Sequence, residues 1–174
     1  MWPRSDFISS IGAAVLVIPG GGYSVVCVQP EGWPGAEWLT EAGFTAAVLT
    51  YRMPNGHYDV PIQDAQQAMR LIRSRADEWN VSSDRVGVIG YSAGGHLAST
   101  VGTHYFEDFS HGEGDHLELS HRPDFMILIY PVISLLPDYA HEGSRRAIRR
   151  PPSSCTPPMT QLSTPSTASS SSAS

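Results

Sequence analysis

Four largely apolar runs constrain this chain more than any other feature: residues 13–18, 44–50, 85–90 and 125–130. A strand with one wet face alternates apolar and polar residues; a run with little alternation must be covered on both faces. Residues 13–18 (Ala-Ala-Val-Leu-Val-Ile) show this most clearly, and Pro19 with three glycines ends the run. Helical patterns lie between the runs, so the order is βα repeated. That order predicts an α/β fold with a mostly parallel sheet and flanking helices.

Residues 31–42 predict a short helix closed by Gly43 at a C-cap position. Residues 53–61, with Pro54-Asn55-Gly56 at their centre, predict a loop. Asp64 then reads as the cap of the clearest helix. Ala65, Ala68, Met69, Ile72, Ala76 and Trp79 follow at spacings of three and four and form one apolar face. Residues 80–84 predict a turn, residues from Ala93 to about Thr103 a helix of small residues, and 104–122 a polar surface excursion. Trp33, Trp38 and Trp79 are expected to pack between helix and sheet.

The segment from Arg85 to His96 reads as strand, tight turn and helix start, with Ser92 at the apex of Gly90-Tyr91-Ser92-Ala93-Gly94. A serine hydroxyl is a weak nucleophile. It must stand on a sharp turn where a base can take its proton and where free N–H groups face the developing oxyanion. Gly90 and Gly94 let strand and helix close around that turn, and the Ala93 N–H would be one donor. Gly-x-Ser-x-Gly alone arises by chance in about one chain of this length in twenty. Its place between a buried strand and a helix gives it weight. A phosphate-binding turn would need G-x-G-x-x-G or a P-loop lysine, and neither is present. Pro19-Gly20-Gly21-Gly22-Tyr23 follows the first strand. Such a loop is either an ordinary connection or a backbone cradle for an anion; beside the elbow we read it as an oxyanion loop.

These residues resemble α/β-hydrolase serine esterases of the hormone-sensitive-lipase-like and feruloyl/acetyl-xylan-esterase-like (BD-FAE-like) kind. The matching stretches are residues 17–23, Trp38-Leu39, 49–52, 61–65, 68–73, 90–97 and 123–132, together covering about 13–144. The resemblance implies Ser92 as nucleophile, with Gly21, Gly22 and Ala93 giving the oxyanion N–H groups. It also implies short-acyl or carbohydrate esters as substrates and no cofactor. Tyr23 and Tyr91 either line an acyl or sugar site or simply pack. Arg52, Asp64 and His96 match family positions and read as structural. A peptidase of the prolyl-oligopeptidase type shares the elbow but would bring a large propeller domain. The remaining alternative is a truncated hydrolase that binds without catalysis; a fluorophosphonate probe separates it from an esterase.

Two departures matter. Pro19 stands where lipase-like relatives often carry His before the three glycines; a Pro start is typical of the xylan-esterase-like branch. In the family the catalytic Asp and His follow the nucleophile after two further strands, and the expectation is that both are absent from this chain, which would then be inactive. The start also falls close to the family's third strand. The domain reading is a partial hydrolase domain over 1–143 and a disordered tail over 144–174. From Pro151 onward every residue is uncharged, and Ser, Thr and Pro make up 18 of 24. Read from the third base of each codon, assuming TCN serines, Ser153, Ser154 and Cys155 become apolar. Thr156 becomes His or Tyr, and Thr160 after Met159 becomes Asp. A shifted reading frame is therefore expected, and resequencing from Ser144 onward tests it.

The net charge of −6 gives no reason to expect nucleic acid or an anionic membrane as partner. Arg145, Arg146, Arg149 and Arg150 read as a solvated junction rather than a phosphate site. Cys27 and Cys155 are too few for a disulfide framework or a zinc site. His111, His116 and His121 recur every five residues, which fits neither a helix face nor a strand face, so no metal is expected. No apolar run reaches membrane length, and the first ten residues lack the pattern of an export signal, which leaves the cytoplasm by default.

Overall fold

A computed structural model describes residues 10–134. Four strands, β1 (Ala14–Ile18), β2 (Thr45–Val48), β3 (Val86–Tyr91) and β4 (Met126–Ile129), form one parallel sheet in the order β2-β1-β3-β4. Three helices connect them: α1 (Trp33–Glu41), preceded by a π-helical turn (Val28–Gly32), then α2 (Asp59–Ser74) and α3 (Ala93–Thr103). This is the parallel α/β sheet with flanking helices expected from the strand pattern, as the resemblance to α/β-hydrolases also implies. None of these helices is long and apolar enough to cross a membrane. The expected tail over 144–174 lies outside the described residues.

The central strands are apolar throughout because each faces helices on both sides. Ala14, Leu16 and Ile18 of β1, with Val86 and Val88 of β3, pack against Ala65, Met69 and Ile72 of α2 and Leu97 and Val101 of α3. Val15, Val17 and Ile89 point the other way, onto Ala36 and Leu39 of α1. The period of two along each strand thus feeds two cores. Among the described residues the runs at 44–50 and 125–130 form the two edges, and β2 and most of β4 are only half-buried.

Several sequence expectations shift. The second helix begins at Asp59, not Asp64, with Tyr58 at its cap. The loop expected over 53–61 includes Pro61, but a proline in the first helical turn sacrifices an N–H that has no helical partner. Asp64 therefore caps nothing. Its carboxylate accepts the Arg52 backbone N–H at 2.7 Å and the Arg52 guanidinium at 2.7 and 2.9 Å. Trp33 and Trp38 are exposed rather than packed between layers, whereas Trp79 does lie against the core. The helix predicted from residue 31 becomes the π-helical turn followed by α1.

The excursion over 104–122 has no helix or strand, yet it is tied down by a polar stripe of α2. Gln66 holds the Glu107 carbonyl and the Phe109 N–H. Arg70, 1% exposed, donates to Asp108 at 2.7 Å, to His121 Nδ1 at 2.9 Å and to the Leu119 carbonyl. Arg73 binds the carbonyls of Ser83, Ser120 and Arg122 and the carboxylate of Asp124. Each buried charge is paired, as it must be to sit there.

His121 accepts from Arg70 through Nδ1, so its Nε2 carries the proton toward the Tyr105 carbonyl and the ring is neutral. Burial, and then the Arg70 charge, hold its pKa below 6.5. A histidine with a depressed folded pKa stabilises fully above the unfolded value and loses that contribution as pH falls through about 6.5. For Asp108, burial opposes ionisation, but hydrogen bonds from Ser110 and the Arg70 charge still hold its pKa below 3.8, so its loss comes at lower pH. Between pH 7 and 5, His121→Gln is expected to flatten the dependence of unfolding free energy on pH. Identical slopes in denaturant titrations would contradict this.

Candidate active site

β3 ends at Tyr91 and α3 starts at Ala93, leaving one residue for the turn. Ser92 makes it with φ 50° and ψ −116°, a conformation that side-chain-bearing residues rarely adopt. Three backbone bonds hold it there. The Ser92 N–H donates to the Ile129 carbonyl at 3.0 Å, and the Ser92 carbonyl accepts from the N–H groups of His96 (3.1 Å) and Val132 (3.2 Å). The side chain is half-buried, and among the described residues Oγ has no hydrogen-bond partner. The elbow's glycines are required by contact: a Cβ on Gly90 would collide with the Gly94 carbonyl, and one on Gly94 with the carbonyls of Ile18 and Pro19.

The glycine loop reaches the same point from β1. A Cβ on Gly20 would lie 2.9 Å from Ser92 Cβ and 2.8 Å from the Tyr91 carbonyl oxygen. Gly21 (φ 126°) and Gly22 (φ 63°) take conformations that favour glycine. In a trans peptide the C=O and the following N–H point opposite ways. The Gly20 carbonyl accepts from Cys27 N–H at 3.0 Å, which turns the Gly21 N–H away from Cys27. The Gly21 carbonyl accepts from Ser24 (3.0 Å) and Val25 (3.2 Å), which turns the Gly22 N–H the other way. Neither N–H finds an acceptor among the described residues. Ala93, first in α3, likewise has no intrahelical acceptor for its N–H. The sequence-predicted donors Gly21, Gly22 and Ala93 therefore sit on the two segments that meet at Ser92.

The two tyrosines separate. Tyr23 is buried, its hydroxyl 2.7 Å from His96 Nδ1 and its ring edge-on to His96 and Tyr51. Tyr51, which sequence reasoning missed as a site residue, donates to the Pro19 carbonyl at 3.1 Å. Burial pushes both phenols far up, so both stay neutral donors. Tyr23 thus pins the end of the glycine loop to α3. Tyr91 turns to the opposite layer, its hydroxyl against Gly35 and its ring 6.1 Å from that of Tyr130. Another unforeseen residue is Glu31, whose carboxylate meets the Gly20 N–H. Its only sequence signal was an acid beside the glycine-bearing Glu31-Gly32 step.

Of the histidines, His96 faces Tyr23 and His121 faces Arg70, while His57, His104, His111 and His116 are exposed. His111 lies near Asp59 and His116 near Glu118. Among the described residues no group of three or more His, Cys, Asp or Glu is placed to hold a metal ion. His141 lies outside them. Two concave regions, about 440 Å³ beside Ser10, Ile11 and Ala76 and about 550 Å³ beside Arg73, Glu118 and Asp124, both sit at the strand ends remote from Ser92.

The BD-FAE family model matches residues 9–140. The acetylxylan esterase of Xylanibacter ruminicola is 37% identical over 133 residues, 76% of this chain and 25% of that protein. Endo-1,4-beta-xylanase B of Butyrivibrio fibrisolvens is 35% identical over 138 residues, 77% of this chain and 21% of that one. The crystal structure of the acetyl ester-xyloside bifunctional hydrolase from Caldicellulosiruptor lactoaceticus superposes with a TM-score of 0.68 at 40% identity, over 82% of this chain and 51% of that one. The chain thus spans about a quarter of these curated relatives and about half of the solved structure. With a family model covering most of its length and an α/β-hydrolase fold beneath it, the chain belongs to the BD-FAE family.

Proposed function

We propose that the chain carries the nucleophile and oxyanion-binding half of a carboxylic-ester hydrolase acting on short-acyl esters of carbohydrates. The observation that carries this reading is the meeting of two segments. A serine in a strained backbone conformation abuts a glycine loop whose free N–H groups are oriented by bonds on their far sides. Ser92 Oγ attacks the ester carbonyl carbon while a base takes its proton, and the carbonyl oxygen becomes an oxyanion received by Gly21, Gly22 and Ala93. The tetrahedral intermediate collapses, the alcohol leaves with the proton, and water repeats the sequence to free the acid. The base and its carboxylate partner come from outside residues 10–134. The carbohydrate substrate rests on the relatives, whose names specify acetylxylan and acetyl ester-xylosides.

The test grafts residues 10–134 in place of the matching half of the Caldicellulosiruptor hydrolase. The expected graft hydrolyses p-nitrophenyl acetate and acetylated xylan, leaves p-nitroanilides intact and carries a fluorophosphonate on Ser92. A folded graft that neither hydrolyses nor labels would favour a non-catalytic module. The 174-residue chain alone is expected to turn over p-nitrophenyl acetate about 10²–10⁴-fold more slowly than the graft, the range that general-base catalysis supplies. Equal rates would place the base inside this chain.

A further inference from the structure

Resting on that reading of Ser92 and the glycine loop, we propose that Glu31 is a positioning residue: its carboxylate fixes the oxyanion loop and couples it to the end of β4. Glu31 leaves the π-helical turn between the loop and α1. One oxygen, Oε2, accepts the Gly20 N–H at 2.5 Å; the other, Oε1, accepts the Tyr130 hydroxyl at 2.8 Å. A Cβ on Gly20 would lie 3.0 Å from Oε2 and 2.9 Å from Ser92 Cβ, so the carboxylate and the nucleophile flank the same glycine.

The backbone geometry shows what this bond controls. The Pro19–Gly20 peptide is gripped on both sides, its carbonyl by the Tyr51 hydroxyl and its N–H by Glu31. The next peptide is gripped at its carbonyl by Cys27, only four residues before Glu31, through the bond that aims the Gly21 N–H. The π-helical segment therefore sets two successive peptide planes, one by main chain and one by side chain. Glycines have no side chains to resist rotation, so the external grips decide where their N–H groups point.

The Tyr130 arm adds the coupling. Tyr130 directly follows β4, whose Ile129 carbonyl holds the Ser92 N–H. Its phenol is pushed up to about 12, by partial desolvation of the hydroxyl first and then by the Glu31 bond, so it remains a donor across the working pH range. One carboxylate thus ties the oxyanion loop to the strand that holds the nucleophile's backbone. Only a carboxylate can accept from both donors without presenting N–H groups of its own. That predicts a different result for glutamine, which has the same shape but one acceptor oxygen.

The experiment uses the full 174-residue chain and two readouts. The first is the Gly20 amide proton resonance in the isotope-labelled protein, which a short bond to a carboxylate should move downfield and protect from exchange. The second is the rate of Ser92 labelling by a fluorophosphonate at pH 9, where hydroxide can take the serine proton. Glu31→Gln is expected to move the Gly20 resonance upfield, lower its exchange protection and slow Ser92 labelling about 10- to 100-fold, the scale of a misplaced reacting group. Tyr130→Phe removes one hydroxyl from a side chain 60% exposed. It should move the Gly20 resonance partway toward its position in Glu31→Gln and slow labelling by a smaller factor, which supports the coupling even if Glu31→Gln fails to fold. An unchanged Gly20 signal and labelling rate in Glu31→Gln would overturn the proposal, as would a Tyr130→Phe variant identical to the parent. If the parent's Ser92 labels no faster than a Ser92→Ala blank, the nucleophile reading fails, and the Gly20 signal still judges Glu31.

Discussion

Replacing Ser92 by alanine is expected to lower kcat for p-nitrophenyl acetate in the grafted hydrolase by about 10⁴-fold or more. The fold should be unchanged. The hydroxyl makes no hydrogen bond among the described residues, and the three bonds that hold this turn are all main-chain. What survives is the background that an oxyanion hole gives to attack by water. Ser92→Gly sharpens the test. Both variants lose the nucleophile, but at φ 50° and ψ −116° alanine keeps the steric conflict while glycine relieves it. Ser92→Gly is therefore expected to be more stable than Ser92→Ala by about 1 kcal/mol, after the entropy lost by glycine on folding is subtracted. Substantial turnover in either variant would remove Ser92 from its role. Equal stability would mean that the elbow stores no strain.

The contrast between Ser92 and Glu31 shows which parts of this site could be read in advance. The elbow is local chemistry: a buried strand, glycines at fixed offsets and a helix start lie within twelve consecutive residues, and each is written in residue type. The glycine loop is equally local. Glu31 instead acts through bonds spanning 11 and 99 residues, and Tyr23 through one spanning 73, separations that no periodicity encodes. The same distinction runs through the fold. The strands were legible because burial on both faces leaves little polar alternation in β1 and β3. The start of α2 was not, because Pro61 is a breaker inside a helix but harmless in its first turn. Gln66, Arg70 and Arg73 lie off the apolar face that the spacing defines, yet all three are buried, because the excursion over 104–122 lies over them and supplies most of their partners. The apolar face of α2 could be read from the helix alone. Its polar stripe could not, since all its partners but the Ser83 carbonyl lie about forty or more residues later.

Gly94→Ala is expected to cost about 3 kcal/mol of unfolding free energy, the largest stability effect anticipated for a single methyl here. Gly94 lies in the first turn of α3 where it crosses the end of β1, and an added Cβ would meet the carbonyl oxygens of Ile18 and Pro19, with the Pro19 carbonyl carbon 2.7 Å away. All three are backbone atoms. Ile18 belongs to the strand paired with β3, and the Pro19 carbonyl is held by Tyr51, so neither can yield without moving the sheet or the glycine loop. Gly102 provides the control on the same helix. A Cβ there would also overlap a neighbour, but that neighbour is the side chain of Met126, unbranched and 40% exposed. Alanine at 102 should cost far less, because the methionine can swing away and the helix gains about 1 kcal/mol of intrinsic propensity. Denaturant midpoints of the two variants, at equal m-values, measure the difference. Similar losses would mean that helix packing in general is being disturbed. A loss confined to Gly94, accompanied by slower labelling of Ser92, would place the conflict where β1, the glycine loop and α3 converge on Ser92.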